Sequence, residues 1–416
     1  MRKALLDRFL RYVRIDTQSK EDVEGRYPST QKQLDLAKVL KRELEGLGCS
    51  DVMLDEHGIV YATLLSNLTK SEIVRVPAIG FLGHLDTSPE VSGVNVTPVL
   101  HRKYPGGDIK LPGDSSQVIR AADNPEMKKY IGDDIVTADG TTLLGADNKA
   151  GIAEILTALE HFNAHPEIRR PTLRIAFTPD EEVGGGTRHF DVKSFGADFA
   201  YTVDGEKAGE VENETFNAAL AVFAVKGINL HPGYAKGKMV NAVRIVADLI
   251  RELASDPAPE TTQKRMGYLH PYGVEGGVDR ASLKVLIRDF GESGMNAKSK
   301  RLEAIRSKVS AMHPKGDIAL EIKTQYQNMK VKLDEDPRTV EYALEAVKRA
   351  GLKPRLQIIR GGTDGAKLCF MGLLTPNIFT GGMNFHSKLE WIPVKAMELA
   401  VMTLVNLAQV WVEKSL

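Results

Sequence analysis

Apolar residues recur along this chain with two different periods, and the changes between them predict its elements. Near the N-terminus, Leu6, Phe9, Leu10 and Val13 stand at helical spacing. A second helical stretch over roughly 30–47 closes at Gly46-Leu47-Gly48, a helix-terminating signal. Val60-Tyr61-Ala62-Thr63-Leu64 and Ala78-Ile79-Gly80-Phe81-Leu82 are apolar runs of strand length. Ile152, Ile155, Leu156, Leu159 and Phe162 step by three and four and predict another helix. Leu173-Arg174-Ile175-Ala176-Phe177 and Phe199-Ala200-Tyr201-Thr202-Val203 read as further strands. Strands separated by helices imply crossover units, so this part is an α/β domain with a largely parallel, helix-covered sheet.

Near residue 214 the pattern changes to strand (217–226), helix (239–254), strand (272–278), strand (281–289), helix (294–312) and strand (317–326). That order is the split βαβ, ferredoxin-like α+β unit. Asp256-Pro257-Ala258-Pro259 breaks the chain after its first helix. Beyond about 328 come a helix (338–350), a turn at Gly361-Gly362 and a last helix (394–413). The expected organisation is one discontinuous α/β domain, 1–213 and 328–416, interrupted by a smaller ferredoxin-like domain at 214–327. The 92–140 segment, with Pro98, Pro105, Gly106, Gly107, Pro112 and Gly113, shows neither period. A loop that long in a compact domain is functional or carries structure of its own.

Composition narrows the classes. A chain of 416 residues exceeds one hydrophobic core, and 42% hydrophobic residues exclude disorder as its main state. Equal counts of 55 basic and 55 acidic residues argue against a dedicated nucleic-acid binder. The two cysteines, Cys49 and Cys369, cannot build a disulfide framework and fit a reducing compartment. The N-terminus is charged and amphipathic, unlike a signal peptide, and no run approaches the apolar length of a membrane span. A cytoplasmic location is expected.

The chemistry-bearing residues follow strands. Gly83-His84-Leu85-Asp86, Pro179-Asp180-Glu181-Glu182, Val203-Asp204-Gly205-Glu206 and Gly381-Gly382-Met383-Asn384-Phe385-His386 each succeed an apolar run, and Gly145-Ala146-Asp147-Asn148-Lys149 opens a helix. Ligands bind beyond the carboxyl ends of strands in open parallel sheets, so these turns can converge. Two histidines and several carboxylates suit zinc or a similar divalent ion. Singly, each has a plainer account: Asp147 as a helix cap, His84 as a core histidine bonded to a carbonyl, Asp86 as a turn cap, the 180–182 triplet as a solvated loop. Their conjunction after strand ends favours the site. Neighbours in extended Glu181-Glu182 point opposite ways, so one can bind metal while the other serves as general base.

Gly83-His84-Leu85-Asp86-Thr87, Gly145-Ala146-Asp147-Asn148-Lys149-Ala150-Gly151, Pro179-Asp180-Glu181-Glu182-Val183-Gly184 and Val203-Asp204-Gly205 resemble the metal-site motifs of the M20 metallopeptidases. His231-Pro232-Gly233-Tyr234, Met239-Val240-Asn241-Ala242, Ile287-Arg288-Asp289-Phe290, Arg360-Gly361-Gly362-Thr363-Asp364 and Phe379-Thr380-Gly381-Gly382 extend the likeness, in order, over nearly the whole chain. It is nearest to the tripeptide aminopeptidases of that family. The resemblance implies two zinc ions per subunit, with Co2+ or Mn2+ as substitutes: His84 and Asp204 on one, Glu182 and His386 on the other, Asp147 bridging. Asp86 would hold the His84 ring, and Glu181 would be the general base. The inserted domain would be a lid, with His231 stabilising the oxyanion and Asn241, Arg288 and Arg360 holding the substrate's polar groups and carboxylate.

The function this implies is removal of the N-terminal residue from short peptides, chiefly tripeptides. The same metal centre would also serve a dipeptidase, a carboxypeptidase or an N-acyl-amino-acid amidohydrolase, and a non-catalytic peptide-binding relative would not need Glu181. The expected partner is a short peptide, not nucleic acid or membrane; monomer and homodimer both stay open. Tyr268-Leu269-His270-Pro271-Tyr272 departs from the family pattern and bears on substrate length.

Overall fold

Four short apolar strands, Leu173–Thr178, Ile79–His84, Phe199–Gly205 and Asn377–Phe379, lie side by side in that order and run parallel. They are the centre of an eight-stranded sheet in the computed structural model, which describes every residue of the chain except Asp22. Both flanks depart from the parallel pattern. Val60–Leu64 pairs antiparallel with 173–178 and Ser50–Leu54 antiparallel with 60–64; on the other side Glu210–Thr215 pairs antiparallel with 377–379. The sheet is therefore mixed, and its parallel part is what carries the candidate residues. Ile79–His84 is buried at every position, as a strand covered by helices on both faces must be.

The backbone separates into two compact units. One comprises Met1–Asn213, Val331–Gln357 and Thr363–Leu416; the other comprises Glu214–Lys330 with Ile358–Gly362.

In the first unit, helices Arg2–Tyr12, Ala146–Ala164, Arg338–Arg349 and Val394–Ser415 pack together around the sheet. The N-terminal helix is where expected, but its buried stripe is Leu5, Phe9, Tyr12 and Val13, with Leu6 and Leu10 only partly covered. Gly151 lets the 146–164 helix approach the sheet: a Cβ there would lie 1.9 Å from the Val203 carbonyl oxygen. The last helix corrects one expectation. At 22 residues it is long and apolar enough to cross a membrane, yet 67% of its apolar window is buried inside the protein, with Met397, Val401, Leu404 and Trp411 in the core. A central helix covered on several sides has the same composition as a span.

The aperiodic 92–140 segment has structure of its own. Ile135–Ala138 pairs antiparallel with Pro98–His101 on one side and with Trp391–Pro393 on the other, and a 3-10 helix spans Pro125–Tyr130. Tyr104, Ile109, Leu111, Ile119, Met127 and Ile135 form a small core with Met383 and Trp391. Strands of two to four residues are too short to show a period, and the third strand of their sheet, Trp391–Pro393, lies far downstream.

Glu154, inside the 146–164 helix, is fully buried, and neither carboxyl oxygen has a hydrogen-bond partner among the described residues. Burial pushes its pKa well above the ordinary 4.5. The folded protein thus keeps a proton that the unfolded chain loses, and stability falls as pH rises from 4.5 toward the raised value. Glu154→Gln cannot ionise and is expected to remove this loss, gaining about 1.4 kcal/mol per pH unit over that window. Thermal unfolding at about pH 5 and about pH 8 checks it; an equal shift at both would contradict the assignment.

The second unit is built as βαββαβ. Asn217–Lys226, Tyr268–Gly276, Arg280–Asp289 and Asp317–Tyr326 form an antiparallel sheet in the order 268–276, 280–289, 217–226, 317–326. Alternate residues Ala219, Ala221, Phe223 and Val225 point into a core completed by Leu283, Val285 and Ile287 and by helices Ala242–Leu253 and Glu292–Met312. The ferredoxin-like order is as expected. The first helix starts at Ala242 because the Asn241 side chain accepts the backbone N–H groups of Val243 and Arg244. The second strand begins at Tyr268, earlier than expected, and runs through Pro271, which an edge strand tolerates; the register shifts between Pro271 and Gly273.

Candidate metal centre

The four parallel strands place their chemistry at one edge of the sheet. His84 ends its strand, Asp204 lies near the end of the next, Glu181 and Glu182 follow the 173–178 strand, and His386 follows 377–379. Asp147, at the start of the 146–164 helix, lies between the two histidines. Its Oδ1 is 2.9 Å from His84 Nε2 and its Oδ2 is 3.2 Å from His386 Nε2. His84 Nε2 is also 3.4 Å from Asp204 Oδ1, and His386 Nε2 is 2.9 Å from Glu182 Oε2. Two donor groups result, His84/Asp147/Asp204 and Asp147/Glu182/His386, each with its ligand atoms within 4.8 Å of one another. Asp147 belongs to both. It does not cap the helix: Gly145 is the N-cap, and Asp147 has non-helical dihedrals (φ −80°, ψ 107°).

The donor set fits divalent cations. Burial, helped by neighbouring carboxylates, pushes Glu181 well up, raises Asp204, and with the nearby Asp147 carboxylate lifts Glu182 to about 8. Burial would lower the imidazoles, but Asp204 and Asp147 hold His84 well above its ordinary value, and Asp147 and Glu182 hold His386 at about 11. Asp147, despite burial, is kept well below the carboxylate range by His386 and His84. The cluster thus retains protons on its ligand atoms, which cations would displace. Glu182 Oε1 is buried with no hydrogen-bond partner among the described residues, a free acceptor where a ligand atom is needed.

Buried side chains tie the turns together. The Asp86 carboxylate accepts the backbone N–H of Glu181 (3.0 Å) and of Glu182 (3.2 Å). His84 Nδ1 lies 3.1 Å from the Asp86 carbonyl oxygen and 3.4 Å from its carboxylate. So His84 is at once a core histidine bonded to a carbonyl and a donor facing the site, and either contact fixes its ring. Asn148 donates to Val203 O (2.7 Å) and Asp204 Oδ1 (2.5 Å) while its own oxygen accepts the His84 N–H. Asp180, in the left-handed region at φ 61°, accepts from Ser29 and Gln33 and is buried, so the acidic triplet is not a solvated loop. The Gly184-Gly185-Gly186 turn leaves room for a side chain of this chain: a Cβ on Gly186 would lie 2.1 Å from the Asp364 carboxylate. The Asp364 N–H donates to Glu181 Oε1 at 3.2 Å.

His386 itself has φ 59° and Asn384 φ 57°, left-handed values costing about 1–2 kcal/mol each. Asn384 donates to Asn124 Oδ1 and Leu389 O, which holds the loop in that shape. Beside Asp147 and His386 opens a cleft of about 680 Å³, whose charged lining is Glu90, Asp123, Glu126 and Glu206 against Lys207.

The other four predicted residues belong to the second unit. His231 is exposed in a turn, its Nδ1 accepting the Gly233 N–H. Asn241 caps its helix and lines a cavity of about 570 Å³ with Lys236, Arg244 and His313. Arg288 donates to Ile287 O and lies over the Tyr326 ring. Arg360 donates to Lys264 O, Met266 O and Thr262 Oγ1 and stacks on Phe216 and Tyr268. Four residues that shape the centre escaped the sequence reading as participants: Asn148, Asp180, Asp364 and Glu390. The first three lie inside motifs already marked; Glu390 carried no signal.

A sequence profile of "Peptidase family M20/M25/M40" matches residues 137–410. Peptidase T of Clostridium botulinum is 46% identical over 412 residues, covering 99% of this chain and all of that one. The chain belongs to peptidase family M20. This M20 peptidase is also 47% identical over 410 residues to peptidase T of Clostridium acetobutylicum, covering 99% of each. The family read from the motifs is borne out, and with it an enzyme that hydrolyses peptide bonds. Among solved structures, a tripeptidase from Staphylococcus aureus has a TM-score of 0.76 at 21% identity, and an aminopeptidase PepT from Bacillus cereus 0.74 at 23%, each over 99% of both chains. A dinuclear metal-binding M20 peptidase from Bacillus subtilis has 0.66 at 14% identity, over 99% of this chain and 98% of that one. At those identities the structures speak for the shared fold.

Proposed function

We propose that this M20 peptidase is a dimetal aminopeptidase that removes the N-terminal residue of tripeptides. The observation that carries the reading is the pair of donor groups sharing Asp147, with the Glu181 carboxyl beside them. His84 and Asp204 would hold one ion, Glu182 and His386 the other, and Asp147 would bridge. Two imidazoles among carboxylates suit zinc, with Co2+ and Mn2+ as substitutes. Bound there, a pair of divalent ions supplies Lewis-acid polarisation of the scissile carbonyl and acidifies a water at neutral pH.

The rest belongs to the chain. Glu181 takes the proton from the attacking water and returns it to the leaving amine. Its burial, which raises its proton affinity, suits that task, and the Asp364 N–H orients one of its oxygens. Asp86 fixes the backbone of Glu181 and Glu182 and the ring of His84 at once. The excess of carboxylates in the 680 Å³ cleft favours a substrate end bearing an ammonium group, hence an aminopeptidase over a carboxypeptidase. The relatives named peptidase T point the same way.

The second unit would act as a lid, its His231, Asn241, Arg288 and Arg360 meeting the substrate's oxyanion and carboxylate. Arg360 would have to give up contacts to the 262–266 segment to do so. Free Cys49 and Cys369 fit a cytoplasmic enzyme. A panel of di-, tri- and tetrapeptides with free or blocked termini tests the reading. Cleavage of free tripeptides at the first bond, lost on acetylating the N-terminus, is expected; no cleavage of any free tripeptide would refute it.

A further inference from the structure

The bridging carboxylate sits on a turn with little holding it from its own helix. Asp147 and Asn148 depart from helical dihedrals, and Gly145 is left-handed at φ 79°. The backbone N–H groups of this turn go to one distant side chain. Glu390, 1% exposed, accepts from Leu144 N and Gly145 N at 2.8 Å through Oε2 and from Asp147 N at 3.1 Å through Oε1. Charge-assisted hydrogen bonds to backbone N–H are among the stronger and more directional contacts in a protein.

Glu390 also belongs to the loop that carries His386. Met383 and Trp391 exchange two backbone hydrogen bonds at 2.9 and 3.1 Å and close that loop on itself. The Trp391 indole donates to Asn124 Oδ1, which also accepts from Asn384, so the loop's base and its left-handed stretch share one anchor. One carboxylate therefore joins the two donors on Glu182's side of the site, Asp147 and His386, which the chain separates by 239 residues.

We propose that Glu390 is a positioning residue that sets the Asp147 turn against the His386 loop, and so assembles the second of the two metal positions. It touches neither substrate nor reacting atoms. The inference rests on the dimetal reading above. In Glu390→Gln an amide NH2 must face one set of backbone N–H groups, so part of the clamp is lost with almost no change of volume. Glu390→Asp keeps the charge but shortens the reach by one methylene.

Protein stripped with chelator is titrated with Zn2+ by calorimetry, and turnover is followed against added Zn2+. The wild type is expected to take up two ions. In Glu390→Gln the ion held by Asp147, Glu182 and His386 should bind about 10- to 100-fold more weakly, and the other, which shares Asp147 but not the His386 loop, should weaken less, with Glu390→Asp intermediate. Saturating Zn2+ should restore most of kcat, since the residue performs no chemistry. Unchanged affinities for both ions in both variants would overturn the proposal, even if the melting temperature of the stripped protein fell, because that pattern belongs to a merely structural carboxylate. Fewer than two ions on the wild type would instead bring down the dimetal reading itself.

Discussion

Glu181→Gln is expected to lower kcat by about 10²- to 10⁴-fold while leaving the metal content at its wild-type value. The substitution keeps the shape of the side chain and one oxygen for the Asp364 N–H, which lies 3.2 Å from Oε1. It removes the one property the reaction needs, the capacity to take a proton and give it back. Glu181 is not among the atoms that form either donor group, so metal should stay. KM should change little, because the base acts on the proton in flight and contributes little to ground-state binding. Steady-state kinetics with a free tripeptide, alongside metal analysis of the same preparation, separates the roles. Full activity would remove Glu181 from the mechanism; lost metal would make it a ligand.

Asp147→Ala should act through the opposite route. Its carboxylate contributes one oxygen to each donor group, so both positions lose a ligand and the pair loses its bridge. Metal content should fall below two ions per chain, and kcat/KM by roughly 10³-fold or more, which corresponds to the several kcal/mol that such ions supply to a transition state. Adding metal should restore little, unlike the Glu390 variants, because a ligand has been removed and not merely displaced. Without metal, His84 and His386 also lose their partner at 2.9 and 3.2 Å, so their raised pKa values should drop, and histidine titration by NMR would show it. Wild-type metal content with wild-type turnover would refute the bridging role.

The two variants probe groups that the sequence marked equally well but that the fold uses differently. Glu181 stood in a turn after an apolar run and Asp147 at the opening of a helix, and each taken alone had an ordinary account as a loop acid or a helix cap. Nothing local distinguishes a cap from a bridge. Gly145 takes the cap position and Asp147 turns its carboxylate between two histidines, one 63 residues away and the other 239. The glycine triplet at 184–186 makes room for a group far along the chain, the Asp364 carboxylate, which nothing local announces. Glu390 was invisible, because an acid before a tryptophan in a short loop has no pattern and its partners are backbone atoms 245 and 246 residues upstream.

By itself, the sequence determined the kind of fold, the ferredoxin-like order of the second unit and the turns that bear the chemistry. Those features are written in local periodicity, which burial imposes on every helix and strand long enough to repeat it. Tertiary structure alone decided the rest. It made the sheet antiparallel at its flanks, since strand direction depends on partners far along the chain. It gave structure to the 92–140 segment through Trp391 and Met383. It buried the last helix in protein, where composition alone would allow a membrane. And it brought Asp86, Asn148 and Glu390 against the turns that hold His84, Asp147, Glu182 and Asp204, because a buried backbone N–H must find an acceptor wherever in the chain one lies.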